Sequence, residues 1–241
     1  MDISARAAAN FKALSQNSYP GRLIVLGQTP DGDPVQIYSI MGRSEGSRNR
    51  IFEPVPNEPT CMRTRVADES KVSGDPSLLI YNAMRESGNT FVVSNGDQTD
   101  MVAKDGISVL RGRQYEPDIP NFTPRITGLT RVSSDSLDLR LVILRKSPFG
   151  DTCERFYYDY EGVATPGYGY FISTYAGDGD PLPSFEGEPL IMPIESNDSI
   201  QIAETFWGAL DPDNRVALAV KIIPTNGRFW QIKIINRYSV E

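Results

Sequence analysis

The stretch RLIVLGQTPDGDPVQIYSIMG, residues 22–42, decides the fold of this chain. Two β-rich runs, 22–28 and 34–42, flank the five residues Thr-Pro-Asp-Gly-Asp. Pro, Asp and Gly favour a tight turn because they preset or permit the backbone angles that a turn needs. Two apolar runs on either side of such a turn indicate a β-hairpin. The sequence therefore predicts a pair of antiparallel strands here.

The same hairpin pattern recurs along the rest of the chain. Two helices are expected, at residues 2–16, which carry a partial apolar stripe, and near 198–210, which begins with capping residues. Consecutive hairpins with few helices between them favour an α+β fold of mainly antiparallel sheet in one domain, rather than a doubly wound parallel sheet. The secondary structure of residues 97–112 is left undecided by the sequence. Further strands are expected near 51–55, 61–66, 77–85 and 89–94, within 155–175, and as two pairs, 124–133 with 137–146 and 215–223 with 228–238 around the turn 224–227.

Composition limits the classes of partner. The chain has 241 residues, of which 39% are hydrophobic and 23% charged, so it has the length and composition of a globular protein. The net charge of −7 counts against a nucleic-acid binder, which needs a basic face. No apolar run approaches the roughly 20 residues that span a bilayer. Neither nucleic acid nor a membrane is an expected partner, whereas a small phosphorylated ligand needs only a local basic cluster.

The chain contains no histidine and two cysteines, Cys61 and Cys153, which have no metal-ligand spacing. Chemistry based on a Ser-His or Cys-His pair, or on imidazole metal ligands, is therefore excluded. Proton transfer falls to Tyr, Glu, Asp, Lys or water. The start, MDISARAAANFKALS, lacks the apolar core of a signal peptide. A cytoplasmic protein with reduced thiols is the expectation.

Arginines cluster in GRSEGSRNR, residues 42–50. Arg43, Arg48 and Arg50 lie within eight positions, separated by serine, glycine and asparagine. Guanidinium groups hold phosphate oxygens through paired, charge-assisted hydrogen bonds. On spacing alone, a solvated basic loop is the alternative. The chain has no Walker-type loop and no Gly-x-Gly-x-x-Gly motif, so a nucleotide would not be held by either of those devices.

Three further segments carry polar residues of interest. In YEPDIPNFTPRI, residues 115–126, Glu116 and Asp118 are candidates for acid or base, and three prolines stiffen the loop; an ordinary rigid connection is the alternative. In SLLIYNAMRE, the pair Tyr81-Asn82 also fits one core tyrosine and one exposed amide. In FVVSNGDQTDMV, residues 91–102, Asn-Gly is a strong hairpin-turn signal. That segment nevertheless holds more polar groups than a turn requires.

Five motifs in order resemble the archaeal-type inosine monophosphate (IMP) cyclohydrolases. They are YPGRLIVLGQTPDG, YSIMGRSEGSRNR, LLIYNAM, VVSNGDQTD and NFTPRITGL, which lie between residues 19 and 129. The resemblance implies a four-layer α/β/β/α sandwich like that of N-terminal-nucleophile hydrolases, without their N-terminal nucleophile. It also implies that residues 1–18 are a helical extension and that residues 19–241 form a single IMP cyclohydrolase-like domain.

The resemblance implies a hydrolase of purine biosynthesis. The carboxamide nitrogen of 5-formamidoimidazole-4-carboxamide ribonucleotide (FAICAR) attacks the formyl carbon, and the carbinolamine loses water to give IMP, the last step of the de novo route. The implied reaction requires no metal and no organic cofactor. The purine nucleotide is the expected partner, and the sequence does not give the oligomeric state, so a homo-oligomer is an open alternative. Two alternatives stay open: a related enzyme acting on another purine or imidazole ribonucleotide, and a non-catalytic nucleotide-binding protein.

The resemblance also implies roles for three catalytic residues. Tyr81 would donate a hydrogen bond to the formyl oxygen or relay a proton. Glu116 would serve as acid or base. Arg43 would anchor the 5′-phosphate or the carboxamide oxygen.

The remaining predicted site residues bind substrate. Arginines anchor an anion or stabilise charge, asparagines orient the amides, and Thr99 and Asp100 bind ribose or hold their loop. Gly96 is expected to permit close approach, and Asn95 and Asp100 to face the ligand. The full substrate-binding set is Arg22, Asn49, Arg50, Asn82, Asn95, Gly96, Thr99, Asp100, Thr123 and Arg125.

Overall fold

The computed structural model describes residues 2–71, 80–134, 136–162, 164–225 and 231–238. In these ranges the α-helices are α1 (Ile3–Gln16), α2 (Glu45–Arg48), α3 (Gln98–Asp105) and α4 (Ser199–Ala209). The strands are β1 (Arg22–Gln28), β2 (Pro34–Met41), β3 (Arg50–Val55), β4 (Glu58–Val66), β5 (Asn82–Ser87), β6 (Thr90–Ser94), β7 (Arg125–Val132), β8 (Leu137–Lys146), β9 (Cys153–Glu161), β10 (Tyr168–Ser173), β11 (Leu190–Pro193), β12 (Arg215–Ile222) and β13 (Gln231–Asn236). None of the helices in the described ranges is long and apolar enough to cross a bilayer.

Strands β1 and β2 form the predicted hairpin. They pair antiparallel from Arg22 opposite Ile40 to Gln28 opposite Pro34. In the turn, the Thr29 N–H donates to the carbonyl of Asp33 at 2.9 Å. Every residue of β2 is buried, because this strand lies inside a sheet rather than at its edge.

The strands form two sheets. The six-stranded sheet has the order β11-β10-β1-β2-β12-β13, and the seven-stranded sheet has the order β3-β4-β5-β6-β7-β8-β9. Neighbouring strands in both sheets run antiparallel. The prediction of an α+β fold with mainly antiparallel sheet and few helices is therefore confirmed.

Most predicted elements are present close to their expected bounds. The strand expected near 77–85 is β5, which begins at Asn82, and residues 77–79 lie outside the described residues. The last predicted hairpin is formed by β12 and β13, although 226–230, including part of its turn, lie outside the described residues. The ambiguous segment 97–112 contains α3 and a 3-10 helix, Ile107–Gly112.

The hairpin predicted for residues 91–102 is wrong. Strand β6 ends at Ser94, and the next residues lead into helix α3. Neither Asn95 nor Gly96 has the positive φ that a two-residue type I′ hairpin turn requires. Thr99 and Val102 are both buried and lie three positions apart, which is helical rather than strand spacing. Strand β6 pairs instead with β5 and β7.

The two sheets pack face to face around one large apolar core. A side chain at Gly128 of β7 would meet Ile24 and Leu26 of β1 at 3.0 and 3.1 Å, so glycine permits the close approach of the sheets. Helices α1 and α4 pack on the six-stranded sheet, where Phe11 and Phe206 meet edge to face at 5.3 Å. Helix α3 packs on strands β5 and β6 of the other sheet.

Several strand ends meet at one end of this sandwich. Strand β1 begins there with Arg22, which lies opposite Ile40 near the end of β2. Strand β3 begins there with Arg50, whose Nη2 donates to the carbonyl of Met41 at 3.0 Å. The two sheets therefore bring separate polar motifs of the sequence together at this end.

Candidate active site

A cavity of about 360 Å³ opens at the end of the sandwich where these strand ends meet. Its volume is within the range of small-molecule pockets, roughly 300–1,000 Å³. Three arginines and two carboxylates converge on it, together with hydroxyl and amide groups. The lining residues are Tyr19, Arg22, Arg43, Ser44, Ser47, Arg50, Glu116, Asp118, Asn121, Thr123, Tyr175 and Leu182.

A larger cavity, of about 780 Å³, lies between α1, β10, β11 and the segment 183–186. Apart from Glu186, its walls carry no charged side chain among the described residues. Catalytic and anion-binding chemistry needs convergent charged groups. The smaller cavity is therefore the candidate active site.

Glu116 and Arg22 form the charged centre of this cavity. Arg22 Nη2 lies 3.6 Å from Glu116 Oε2, and the two side chains are 13% and 3% exposed. Burial raises the pKa of Glu116, although the neighbouring Arg22 and Arg125 charges oppose the rise. A carboxyl whose pKa is moved towards neutrality is suited to accept and return a proton.

Asn95 fixes the position of Glu116 rather than lining the cavity. Its Nδ2 donates to the Pro124 carbonyl at 2.9 Å and to Glu116 Oε1 at 3.4 Å. Its Oδ1 accepts from the Ile126 N–H at 2.8 Å and from Gln98 Nε2 at 3.1 Å. This fully buried amide is thus occupied by protein groups, in contrast to the expectation that it faces the ligand.

Arg50 is buried with part of its guanidinium unused. Its Nε donates to the Ser47 carbonyl at 2.8 Å and its Nη2 to Met41. Its Nη1, like Nε of Arg22, has no hydrogen-bond partner among the described residues. Burial, followed by the like charge of Arg22, lowers the pKa of Arg50. Buried N–H donors are normally paired, so these two groups are ready to receive the acceptor oxygens of an anionic ligand.

Tyr81 lies beside this charged centre. Its hydroxyl is 2.7 Å from that of Tyr38, which is fully buried. Burial raises the pKa of Tyr81, while the charges of Arg22 and Arg50 act against the rise. Tyr81 is therefore a neutral phenol near pH 7, able to donate a hydrogen bond.

A hydroxyl cluster forms another wall. Thr123 Oγ1 lies 2.5 Å from the Tyr175 hydroxyl and also contacts the carboxylate of Asp118. The Thr123 N–H donates to Asp118 Oδ1 at 2.6 Å. Burial raises the pKa of Tyr175 to about 12. This wall therefore presents neutral hydroxyl groups and one carboxylate.

Arg43 lies at the rim of the cavity. It forms an ion pair with Asp178, and its Nη1 donates to the carbonyl of Gly179 at 2.9 Å. The guanidinium lies 5.0 Å from the ring centroid of Tyr19. With its side chain 36% exposed, Arg43 is the most accessible of the three arginines, a placement that suits a phosphate group entering from solvent.

Several predicted site residues lie away from the cavity. The Asn49 side chain donates to the carbonyl of Asp68 and accepts from its N–H, both at 2.7 Å. Asn82 Nδ2 donates to both carboxylate oxygens of Asp100 at 3.0 Å. The Asp100 side chain is 51% exposed and also pairs with Arg85 at 3.2 Å. Asn82 and Asp100 thus contact each other in a separate surface cleft, in contrast to the expectation that both bind substrate.

The Gly96 motif supports the site from behind. A side chain at Gly96 would come within 2.5 Å of Arg125 Nη1, so glycine permits the close approach of Arg125 rather than of a ligand. Arg125 Nη1 donates to Gln98 Oε1 at 2.8 Å and to Asp97 Oδ1 at 2.9 Å. Thr99 Oγ1 donates to the Gly96 carbonyl at 2.9 Å. These groups fix the start of α3, which bonds Asn95 and thereby holds Glu116.

The sequence interpretation missed three tyrosines: Tyr19 and Tyr175, which line the cavity, and Tyr38, whose hydroxyl contacts that of Tyr81. Tyr19 and Tyr38 open two of the quoted motifs, yet a tyrosine within a strand pattern is read as core. Tyr175 ends the aromatic tract 155–175 and comes close to the first half of the chain only through the pairing of β10 with β1. No group of three or more Cys, Asp or Glu side chains able to hold a metal ion occurs among the residues described.

Comparison with known proteins agrees with these motifs. A profile of the family described as IMP cyclohydrolase-like protein matches residues 19–227. Among curated proteins named IMP cyclohydrolase, that of Methanococcus maripaludis is 31% identical over 118 residues, covering 45% of this chain and 56% of the relative. That of Haloquadratum walsbyi is 30% identical over 126 residues, covering 48% and 58%. The chain therefore spans little more than half the length of the curated relatives it matches.

Proposed function

Because the chain belongs to the family of IMP cyclohydrolase-like proteins, we propose that it is an IMP cyclohydrolase, a hydrolase that closes the purine ring of FAICAR to IMP with loss of water. One observation carries the proposal: a buried carboxyl and two arginines with unpaired N–H donors meet at one cavity, and the Tyr81 phenol lies beside them. This set supplies a proton acceptor, a hydrogen-bond donor and anion anchors without histidine, metal or cofactor.

The reaction places modest demands on the protein. Both reacting groups lie on one imidazole ring, so much of the entropic cost of bringing them together is already met. The carboxamide nitrogen forms a bond to the formyl carbon and loses a proton, while the formyl oxygen gains one. The carbinolamine then loses its hydroxyl group and the proton on the former formamido nitrogen as water, and the former carboxamide nitrogen keeps its second proton.

Each central residue has a role in that sequence. Glu116 accepts the proton from the carboxamide nitrogen, aided by burial and held by Asn95. Tyr81 donates to the formyl oxygen as negative charge develops there. The unpaired donors of Arg22 and Arg50 hold the carboxamide oxygen, which keeps the amide nitrogen turned towards the formyl group.

The rim binds the nucleotide part. Arg43 is the accessible cation at the cavity mouth, and Ser44 and Ser47 line the same side. We assign the 5′-phosphate to this rim, because guanidinium and hydroxyl groups are good donors to phosphate oxygens. Thr123 contributes from the opposite wall. Among the predicted residues that lie outside the cavity, those that support it are Asn95, Gly96, Thr99 and Arg125. Asn49, Asn82 and Asp100 have no role in this proposal.

The proposal also covers the fold, the domain bounds and the cellular location. Helices α1 and α4 on one sheet and α3 on the other are what a four-layer α/β/β/α sandwich resembling the N-terminal-nucleophile hydrolases requires. The family match begins at residue 19, directly after α1 and its short connection, in keeping with an extension over 1–18 and one domain from 19 onward. We place the proposed enzyme in the cytoplasm, with a purine nucleotide as its partner.

A related enzyme acting on another purine or imidazole ribonucleotide is the second candidate. Leu182 lies at the cavity wall and comes from the segment YAGDGDPLPSFEGEP, in the half of the chain outside the five motifs. A cavity wall that differs at Leu182 from that of other family members would select a different base in the ribonucleotide substrate.

Ring closure by purified protein tests the proposal. FAICAR should be converted to IMP, followed by absorbance, and Glu116→Gln and Tyr81→Phe should each lower kcat at least about tenfold, or roughly 1.4 kcal/mol of barrier. If neither substitution does so, the acid/base assignment is wrong. Absence of IMP formation with FAICAR would favour the second candidate, and IMP binding in calorimetry without any turnover would indicate a non-catalytic nucleotide-binding protein.

A further inference from the structure

The Tyr38 hydroxyl is a buried polar group that the proposed chemistry does not use. Tyr38 lies in β2, opposite Ile24 of β1 and Ala219 of β12, inside the six-stranded sheet. It is fully buried and does not line the cavity. Its hydroxyl oxygen is 2.7 Å from that of Tyr81. Tyr38 therefore acts on a bound substrate through its neighbours, of which Tyr81 is the one hydrogen-bonded to its hydroxyl.

Hydrogen-bond counting and burial together indicate the direction of this bond. A phenol has one proton to donate. Among the described residues, Tyr81 is the only hydrogen-bond partner of the Tyr38 hydroxyl. If Tyr81 donated, the Tyr38 proton would be buried without an acceptor, which is costly and rare. The Tyr81 hydroxyl likewise has only Tyr38 as a partner among the described residues, but Tyr81 is 6% exposed whereas Tyr38 is 0% exposed. Donation by Tyr38 therefore leaves the spare proton on Tyr81, the less buried of the two and the one beside the cavity arginines.

Both tyrosines are firmly placed. The Tyr38 ring stacks on Phe52 with centroids 5.4 Å apart and an angle of 22° between the planes. The Tyr81 N–H donates to Thr64 Oγ1 at 3.0 Å, and the Thr64 N–H donates to the Tyr81 carbonyl at 2.9 Å. The hydroxyl pair thus joins the two sheets, and each partner is anchored in its own sheet.

The surroundings of the pair favour donation by Tyr81. Arg22 and Arg50 lie close enough to favour negative charge on its oxygen, as does the hydrogen bond from Tyr38, and all three act against the burial that raises its pKa. A phenol in a positive field that already accepts one hydrogen bond is polarised, and it donates its own proton more strongly. The arrangement suits a donor to an oxygen that gains negative charge.

We infer that Tyr38 is a positioning residue for ring closure: it donates to Tyr81 and thereby aims the Tyr81 O–H at the formyl oxygen of the substrate. The inference rests on the proposed function. Without Tyr38, the Tyr81 proton has other orientations available, and the developing oxyanion loses a preorganised donor. Because that donor matters most in the transition state, the loss falls on kcat rather than on KM.

A double-mutant cycle at Tyr38 and Tyr81 tests the coupling. We expect Tyr38→Phe to lower kcat about tenfold with KM within about twofold of wild type, and Tyr81→Phe to lower kcat further. Adding Tyr38→Phe to Tyr81→Phe should change kcat by less than about twofold, since the hydroxyl that Tyr38 aims is already gone. Tyr170→Phe removes a hydroxyl from the same sheet outside the cavity and should leave kcat unchanged.

Two outcomes overturn the inference: an unchanged kcat in folded Tyr38→Phe, or equal losses from Tyr38→Phe in the wild-type and Tyr81→Phe backgrounds. Neutron diffraction of the wild-type protein after deuterium exchange gives a readout that needs no turnover. The deuterium between the two tyrosines should be bonded to the Tyr38 oxygen, and finding it bonded to Tyr81 overturns the inference. A wild-type protein that shows this arrangement but no ring closure refutes the proposed function while leaving the direction of the hydrogen bond established.

Discussion

Arg50 and Lys221 are both cations buried between the sheets, at opposite ends of β2. Arg50 donates to Met41, the last residue of that strand, whereas Lys221 of β12 lies opposite Gln36 near its start. Lys221 Nζ donates to the Thr60 carbonyl at 2.8 Å, lies 3.6 Å from Glu86 Oε2 and sits 4.8 Å from the Phe91 ring centroid. Arg50 has no carboxylate partner among the described residues, and its Nη1 is unpaired.

The difference indicates that Lys221 has a structural role and that Arg50 has a ligand-binding role. Burial lowers the pKa of both residues, so both are costly to place. The protein offsets that cost at Lys221 with its own acceptors, and the result is a closed structural contact between sheets. At Arg50 it leaves the offset incomplete beside a cavity, next to the like charge of Arg22. An anionic or strongly polar ligand would supply the acceptors that Arg50 lacks and so offset the cost of burying its charge.

The largest expected effect distinguishes two glutamates, one at each end of the sandwich. Glu116→Gln should lower kcat for ring closure about 100-fold, because it removes the proton acceptor while keeping the shape of the side chain. Glu86→Gln changes the partner of Lys221 in the same way and should leave kcat within about twofold of wild type. Steady-state kinetics on the two variants, side by side, measures this. Comparable losses in both would break the distinction between the two ends.

The two buried cations should respond in opposite ways to substitution by methionine. Arg50→Met should weaken IMP binding at least about tenfold, or 1.4 kcal/mol, while the free energy of unfolding of the unliganded protein stays within about 1 kcal/mol of wild type. Lys221→Met should leave IMP affinity unchanged and lower the free energy of unfolding by about 1–2 kcal/mol, since Glu86 is only one-third exposed. Calorimetry and urea denaturation separate the two. A Lys221→Met protein that loses IMP affinity contradicts the comparison.

The pH dependence of stability gives a second test of the role of Glu116. Burial raises its pKa above the ordinary carboxyl value of about 4.3. A raised pKa means that the folded protein holds this proton more tightly than the unfolded chain. The stability that results is fully present below the ordinary value and is lost as pH rises through the raised pKa. The wild-type protein should therefore lose stability relative to Glu116→Gln across this window.

Activity should move in the opposite direction over that window. Glu116 must be unprotonated to accept the amide proton, so kcat/KM should rise as pH rises through its raised pKa. In Glu116→Gln that rise should be absent. Urea denaturation and initial rates over a pH series give both curves. A rise in kcat/KM that persists in Glu116→Gln would assign the titration to another group.

The smallest effect is expected at the rim, where the ion pair is exposed to solvent. Asp178→Asn frees Arg43 from its carboxylate partner and removes a negative charge from the cavity mouth. Exposed ion pairs contribute little, so IMP affinity should increase by no more than about threefold, and the gain should shrink with added salt. Calorimetry at two salt concentrations measures it. A large loss of affinity would show that Asp178 itself holds the ligand.

Much of the fold was predictable, because strands and turns are local signals. The run 22–42 and the pair β7 and β8 have apolar residues and turn residues at the spacing that a hairpin needs. The segment 91–102 misled, since Asn-Gly outweighed the three-residue spacing of Thr99 and Val102 that marks a helix. Turn propensity is local, whereas the choice between hairpin and helix depends on which face the rest of the protein buries.

The site was only partly predictable. The motifs led to Arg22, Arg43, Arg50, Glu116 and Thr123, all of which line the cavity. They could not distinguish a side chain that faces ligand from one that supports it, because a polar residue in a motif serves either purpose. Asn95 illustrates this, since four hydrogen bonds to protein occupy its amide. Tyr175 was missed because its contact with Thr123 joins residues 52 positions apart.

A crystal structure of the protein with IMP bound tests the central claim most directly. We expect a purine oxygen of IMP to accept hydrogen bonds from Arg50 Nη1 and Arg22 Nε, the two cavity-lining donors that are buried and unpaired among the described residues. The Tyr81 hydroxyl and Glu116 should lie beside the carbon and nitrogen that ring closure joins. IMP bound in the larger cavity beside α1, with both arginine donors still unpaired, would contradict the account.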